Sequence, residues 1–306
     1  MQKWLLCCLV LGCVGCGEEP AQQRQTKASA AVPQATVALY EQGVAAEQAG
    51  DAAGALISNQ YAVNIDKIKR RASAGDKVAQ HELGYCYSRG DGVPMDMAEA
   101  IKWWHKAAEQ GNAKSQYNLG VSYDNAIGVS RNVDEAFQWY RKAAEQDIPE
   151  AQYNLGFCYA HGKGCIKNLI EAVKWYRKAA DHGVALAQYH LGKCYDKGVG
   201  IPQDLIESVK WYRKAAEQGN VDAQFNLASC YFNGEGTTKN LQEAVKWYRK
   251  AAEQGDAAAQ YNLALCYARG VGVPADYEKA AEWFKKAAAQ GHKDAARAYH
   301  YLTTGE

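Results

Sequence analysis

The strongest constraint on the fold of this chain is a repeat of 36 residues. A leucine and a tryptophan each recur six times at this spacing, without an insertion or a deletion. A period between about 20 and 50 residues is typical of a solenoid, in which each unit buries its apolar face only against its neighbours. The recurring residues are Leu83, Leu119, Leu155, Leu191, Leu227 and Leu263, and Trp103, Trp139, Trp175, Trp211, Trp247 and Trp283.

Each unit contains two helical patterns. In the third unit, Gln152, Leu155 and Tyr159 have the spacing of one face of a first helix. Ala172 and Tyr176 share a face of a second helix. Glycines, and in three units a proline, follow the first helix, as is typical where a helix has ended. We therefore predict an all-α solenoid of helix-turn-helix repeats. Gly156 indicates a close approach of the two helices.

The second helix is preceded by an Asx residue, followed three positions later by Glu. This spacing predicts a capping box, in which the two side chains satisfy each other's backbone N–H groups. In the sixth unit Asp276 is followed by Lys279, so we expect that unit to fray first. The predicted pairs are Asp96/Glu99, Asn132/Glu135, Asn168/Glu171, Asp204/Glu207 and Asn240/Glu243.

The repeated pattern A-x-x-x-L-G-x-x-Y-x-x-G-x-G-V-x-x-D-x-x-x-A-x-x-W-Y-x-K-A-A-x-x-G resembles the Sel-1-like repeat, a member of the tetratricopeptide-like superfamily. It covers about residues 79–291 in six copies. The resemblance implies a right-handed superhelix, whose concave face is lined by the first helices and holds peptide or protein partners. Residues 37–78 look like a degenerate leading unit, and 292–306 like a capping helix and tail.

The first fifteen residues, MQKWLLCCLVLGCVG, predict an export signal. Lys3 precedes an apolar run too short to span a bilayer. The end of this segment resembles the bacterial lipobox in two registers. We favour lipidation at Cys16, which leaves a signal of more usual length at 1–15; Cys13 is the alternative, and an ordinary secretion signal is a third. Gly17, rather than Asp, follows Cys16, which resembles the sequence of lipoproteins that are sorted to the outer membrane. We therefore expect the protein to face the periplasm from the outer membrane.

Residues 16–36 contain almost no large apolar side chain and predict a flexible tether with a reach of about 25 Å. The whole chain has 35 Lys and Arg against 34 Asp and Glu. This balance provides no global attraction for nucleic acid or for an anionic membrane. We therefore expect membrane contact through the lipid anchor only, no nucleic-acid partner, and a monomeric solenoid.

Motifs for catalysis are absent from the sequence. It has no His-Glu-x-x-His, Gly-x-Ser-x-Gly or phosphate-loop pattern, and its seven histidines are scattered, with His161 and His190 as the one loosely suggestive pair. We predict that the protein is not an enzyme and holds no cofactor or metal.

One cysteine occupies the same position in five units, and we expect these cysteines to be small, free and buried. Stacked helices lie about 10 Å apart, farther than a disulfide allows. A bridge between Cys158 and Cys165 is the one possible disulfide. The five repeated cysteines are Cys86, Cys158, Cys194, Cys230 and Cys266.

Three rows of first-helix residues vary in chemistry from unit to unit, which indicates a surface. Asparagine amides could bond a peptide backbone, and Arg and Lys could bind acidic groups. An asparagine ladder that merely joins adjacent units is the alternative. The asparagine row is Glu82, Asn118, Asn154, His190, Asn226 and Asn262; the middle row is Tyr85, Val121, Phe157, Lys193, Ser229 and Leu265; the end row is Arg89, Asn125, His161, Lys197, Asn233 and Arg269.

These patterns leave three hypotheses for function. The leading one is a non-catalytic interaction scaffold tethered to the bacterial envelope, with a peptide or protein partner on the concave face. The second is a module that binds peptidoglycan or another glycan, with the tryptophans as a stacking platform. The spacing of the tryptophans beside alanine favours a core role instead. The third is a hydrolase related to cysteine-rich repeat proteins.

Overall fold

The computed structural model of the protein describes residues 64–305. Within this range the chain forms helices and turns, without a strand. The predictions for the signal peptide, for lipidation at Cys16 or Cys13, for the tether and for residues 37–63 lie outside the described residues. The described residues from Ile65 onward belong to one compact unit.

Two helices of 12 or 13 residues build each repeat, and the prediction of an all-α helix-turn-helix solenoid is confirmed. Each first helix packs on the second helix of its own unit and on that of the unit before. The helices are α1 (64–73), α2 (Lys77–Arg89), α3 (Met97–Glu109), α4 (Ala113–Asn125), α5 (Val133–Ala144), α6 (Pro149–His161), α7 (Leu169–Asp181), α8 (Ala185–Lys197), α9 (Leu205–Glu217), α10 (Val221–Asn233), α11 (Leu241–Glu253), α12 (Ala257–Arg269), α13 (Tyr277–Ala289) and α14 (Lys293–Thr304).

A missing side chain lets the two helices of a unit meet. A Cβ on Gly156 of α6 would lie 2.8 Å from Cδ1 of Tyr176 and 3.1 Å from the carbonyl oxygen of Ala172, both on α7. Real Cβ atoms need more space than this, so the tyrosine ring occupies the position that a side chain would fill. The prediction of a close approach at Gly156 is confirmed.

A hydrogen-bonded pair of glutamines within each unit, here called the glutamine relay, orients the side-chain amide that bonds to the backbone of the unit before. Gln110 Nε2, after α3, donates to Gln80 Oε1 on α2 at 2.7 Å. Gln80 Nε2 in turn donates to the carbonyl oxygen of Ala72 on α1 at 3.1 Å. The relay places α1 where the second helix of a preceding unit would lie. The same pairs recur as Gln146/Gln116, Gln218/Gln188, Gln254/Gln224 and Gln290/Gln260.

The relay is broken in the third unit. His182 stands where the other units have the donating glutamine. As a result Gln152 Oε1 is buried without a partner among the described residues. Its Nε2 contacts the carbonyl oxygen of Ala144 at 3.4 Å and Asp147 Oδ1 at 3.1 Å. A buried acceptor without a partner costs about 1–3 kcal/mol.

Stacking is also governed by the second glycine of four Gly-x-Gly turns. A Cβ on Gly236 would lie 2.0 Å from the carbonyl oxygen of Leu205, at the start of the preceding unit's second helix. Its φ of 66° also disfavours a side chain. The turn therefore rests directly on the backbone of the unit before. Gly164, Gly200 and Gly272 make the same approach.

The capping-box prediction is correct for one half only. Asn168 Oδ1 accepts the N–H of Glu171 at 3.1 Å, as expected. The N–H of Asn168, however, donates to the carbonyl oxygen of Tyr159 at 2.9 Å, and the Glu171 carboxylate pairs with Lys174 at 2.6 Å. Asp276 caps α13 in the same way, so the reason for expecting the sixth unit to fray is wrong.

Restoring the relay should stabilise the protein. His182→Gln supplies the missing donor to Gln152 Oε1, and we expect it to raise the free energy of unfolding by about 1 kcal/mol. Gln146→His is the matched control, since it removes the donor from Gln116 and should lower stability by a similar amount. Urea denaturation followed by circular dichroism measures both. An unchanged or lower midpoint for His182→Gln would contradict the relay.

Candidate partner-binding surface

The asparagine row lies half-buried, and two of its members join neighbouring units. Asn154 forms a side-chain hydrogen bond with the Tyr140 hydroxyl of the unit before. Asn262 does the same with Tyr248, whose hydroxyl also lies 3.1 Å from Ser229 Oγ. These contacts favour the structural interpretation for Asn154 and Asn262. The half-buried row is Glu82, Asn118, Asn154, His190, Asn226 and Asn262.

Of the three variable rows, only the middle and end rows contain exposed side chains. Tyr85 is 41% exposed, and Arg89 Nη1 donates to its hydroxyl at 2.8 Å. Arg89 Nε also lies 3.6 Å from Asp91, while Glu82 lies 3.9 Å from Arg71. Arg89 and Glu82 are thus held by contacts within the chain. The exposed members are Tyr85, Lys193, Asn125, His161, Lys197, Asn233 and Arg269, and the half-buried ones are Val121, Phe157, Ser229, Leu265 and Arg89.

The structure brings His161 and His190 into one group of rings, here called the aromatic cluster, which consists of Tyr153, Phe157, His161, Tyr176 and His190. The His190 ring stacks on Tyr176 with centroids 5.2 Å apart and 14° between the planes. Phe157 lies 4.0 Å from His161 and 6.4 Å from His190. Burial lowers the pKa of His190 to about 4, with Lys193 and His161 adding to the effect. His190 is therefore neutral at pH 7.

The hydroxyl of Tyr176 is the polar group that this cluster leaves unsatisfied. Tyr176 is 2% exposed, and its oxygen has no hydrogen-bond partner among residues 64–305. The equivalent tyrosines of the second and fifth units bond to Asn154 and Asn262, whereas the fourth unit has His190 at that position.

Three lysines, here called the basic rim, lie on or just after the first helices that carry the cluster: Lys163, Lys193 and Lys197. Lys163 Nζ lies 5.0 Å from the centre of the Phe157 ring and 4.0 Å from Asp124 Oδ1. Lys197 Nζ lies 3.2 Å from Asp196. Lys193 is exposed one turn after His190.

The tryptophan row is packed under lysines. Trp139, Trp211 and Trp247 are buried, and the other three are half-buried. A lysine Nζ lies between 3.9 and 4.4 Å from the centroid of each indole. A sugar that stacks on an aromatic ring needs an open face, so this arrangement favours the core interpretation.

Two structural facts concern metals and membranes. No three His, Cys, Asp or Glu side chains between residues 64 and 305 are placed to hold a metal ion. In the same part of the chain, every helix is too short or too polar to cross a bilayer.

Comparison with known proteins identifies the repeat. Six consecutive segments match the family model described as the Sel1 repeat. The chain belongs to the Sel1 repeat family. The matched segments are residues 77–112, 113–148, 149–184, 185–220, 221–256 and 257–292.

Solved Sel1 repeat structures resemble this one closely. A Sel1 repeat protein from Oxalobacter formigenes superposes with a TM-score of 0.66 at 36% identity, covering 80% of this chain and 95% of that one. A protective antigen of uropathogenic Escherichia coli gives a TM-score of 0.73 at 39% identity, covering 78% of this chain and 51% of that one. This chain therefore spans about half the length of the second protein.

A further relative is the secretory immunoglobulin A-binding protein EsiB of Escherichia coli. It is 39% identical over 45 residues, which are 15% of this chain and 9% of EsiB. The match is local and spans a small part of that protein.

The five repeated cysteines are free thiols, as expected, but only Cys158, Cys230 and Cys266 are buried, whereas Cys86 and Cys194 are half-buried. Burial raises the pKa of Cys158, Cys230 and Cys266 to about 12, and that of Cys194 to about 11. Cys158 and Cys165 are both free, so the possible disulfide between them is not formed in the structure.

Sequence reasoning missed the glutamine relay and the orphaned Tyr176 hydroxyl. A signal for the relay was present, since glutamine recurs after the second helix in every unit except at His182. The aromatic cluster carried a weaker signal, the replacement of asparagine by His190 in the asparagine row.

Alkylation of the native protein should follow thiol burial. Iodoacetamide reacts with the thiolate, and a pKa of about 12 leaves roughly one thiol in 10⁵ ionised at pH 7. We expect Cys165, half-buried on a turn, to be modified well before Cys158, and the Cys158 rate to rise about tenfold per pH unit up to about pH 11. Mass spectrometry of tryptic peptides reports both, with urea-unfolded protein as control. Equal rates for the two cysteines would contradict the assignment.

Proposed function

We propose that this protein is a non-catalytic interaction scaffold of the bacterial cell envelope. It is a monomeric Sel1 solenoid, anchored by a lipid on Cys16 and facing the periplasm from the outer membrane. It holds a peptide or protein partner on the concave face formed by the first helices. It does not bind nucleic acid and needs no cofactor.

The contrast between the constant, packed leucine row and the variable middle and end rows carries this proposal. The leucine row is fully buried in every unit, and the glutamine relay recurs in five of the six. The middle and end rows, on the same helices, change from tyrosine to lysine to asparagine. A solenoid that keeps its packing constant and varies one face is suited to recognition by that face. Protein binding by a relative, EsiB, supports a protein ligand.

The alternatives have less support. The lysines over the tryptophans remove the main argument for a glycan platform. A hydrolase requires a nucleophile with a base or a metal-bound water, and the sequence provides no motif for either. The envelope assignment depends on residues 1–36, from which we infer the lipid anchor.

Photo-crosslinking tests the binding face. A benzophenone amino acid placed at Lys197 or Asn233, exposed on first helices, should yield a discrete partner adduct in living cells. The matched controls are Gln242 and Lys285, exposed on second helices, which should yield none. Equal adducts from both helices, or no adduct from first-helix positions, would refute binding by this face.

Metabolic labelling with an alkyne fatty acid tests the anchor. We expect label on the wild-type chain and on Cys13→Ser, and loss of label in Cys16→Ser, because the modified thiol is the one removed. The opposite result would assign the anchor to Cys13. An unlabelled, released wild-type protein would favour the ordinary secretion signal.

A further inference from the structure

We propose that the surface of the third and fourth units is a recognition site for an acidic peptide segment, with the aromatic cluster as its floor and the basic rim as its anchor for carboxylates. This inference rests on the proposed function, because it names the partner chemistry of the same first-helix face.

Several departures from the repeat pattern occur within the third and fourth units. Tyr176 OH and Gln152 Oε1, both buried, lack partners among the described residues. The first helices α6 and α8 begin at Ile148 and Val184 without a side-chain cap, unlike the first helices of the other four units. Each loss costs about 1 kcal/mol. Natural proteins accept such costs mainly at functional sites.

At the floor of the site, a histidine ring replaces the asparagine that hydrogen-bonds the tyrosine hydroxyl in other units. Asn154 and Asn262 satisfy the tyrosine hydroxyl of the preceding unit, whereas His190 stacks on the ring of Tyr176. Tyr153 lies 5.8 Å from His190 and adds a further ring. The neutral imidazole of His190 is half-buried, so the part of it that remains exposed can pack against an apolar or aromatic side chain of a partner.

The rim supplies charge that the adjoining units lack. In the middle and end rows, the second unit has Val121 and Asn125, and the fifth has Ser229 and Asn233. The fourth unit has Lys193 and Lys197 in these rows, and in the third unit Lys163 lies beside Phe157.

Acidic neighbours leave one lysine available. Asp124 contacts Lys163 and Asp196 contacts Lys197. Lys193 pairs with no acid of residues 64–305. A carboxylate of the partner would pair with Lys193, and complementary charge of this kind gives an interface its specificity for one partner. One available lysine, on a chain of net charge +1, suits a short acidic peptide better than a polyanion.

Fluorescence anisotropy on the full chain in detergent tests the site. The probe is a labelled peptide, Glu-Asp-Phe-Glu-Asp-Glu; its comparisons are the same peptide with Ala for Phe, a Lys-for-acid version, and a single-stranded oligonucleotide. We expect saturable binding of the first peptide, weakened about tenfold by Lys193→Glu and unchanged by the control Lys285→Glu. Equal binding of the Lys version, tighter binding of the oligonucleotide, no saturable binding, or full affinity in Lys193→Glu would each overturn the inference.

His190→Asn separates a binding role from a structural one. Asparagine should give Tyr176 OH its missing partner, so the thermal midpoint should rise while peptide affinity falls about tenfold. A higher midpoint with unchanged affinity would assign His190 to packing alone and remove the aromatic floor. If first-helix crosslinks to a partner persist while the acidic peptide fails to bind, this inference falls and the scaffold proposal stands; if those crosslinks are absent, the scaffold proposal itself fails.

Discussion

A buried side-chain amide holds each repeat to the one before it. Gln80 accepts from Gln110 of its own unit and donates to the Ala72 carbonyl on the helix before. The amide thus satisfies polar atoms that water cannot reach, and it does so only at one distance and one rotation between units. Apolar packing of alanine and leucine alone would allow the units to slide, because it has no direction.

Because the relay fixes the packing between units, the middle and end rows of the first helices are free to vary. The buried face of α4 contains Gln116, Leu119 and Gly120. Val121 and Asn125, on the same helix, are half-buried and exposed, and they take no part in the relay. Changes at the outward positions cost little stability. The third unit shows the limit of this separation, since Gln152 has lost its donor on the packed side of the same unit whose exposed side carries part of the aromatic cluster.

The sequence predicted the fold from local patterns and failed where atoms from distant positions meet. Leu155 and Gly156 reveal a first helix and its close partner, because helical spacing and the absence of a side chain are both readable in one short segment. The relay joins positions 30 residues apart, and the recurrence of the two glutamines in the sequence does not show that their side chains are in contact. The capping prediction failed in half for the same reason: the carbonyl of Tyr159, not Glu171, accepts the N–H of Asn168.

The second turn glycine has a consequence for how such a protein can change in length. Gly236 rests on the Leu205 carbonyl of the preceding unit, and Gly200 rests in the same way on Leu169. Most junctions use the same parts, so a deletion or duplication of one whole 36-residue unit joins two surfaces that closely match existing ones. A change of any other length puts a side chain where the carbonyl lies. Recombination between repeats of the gene can therefore shorten or extend the binding face by whole units, and no new contacts between units are needed.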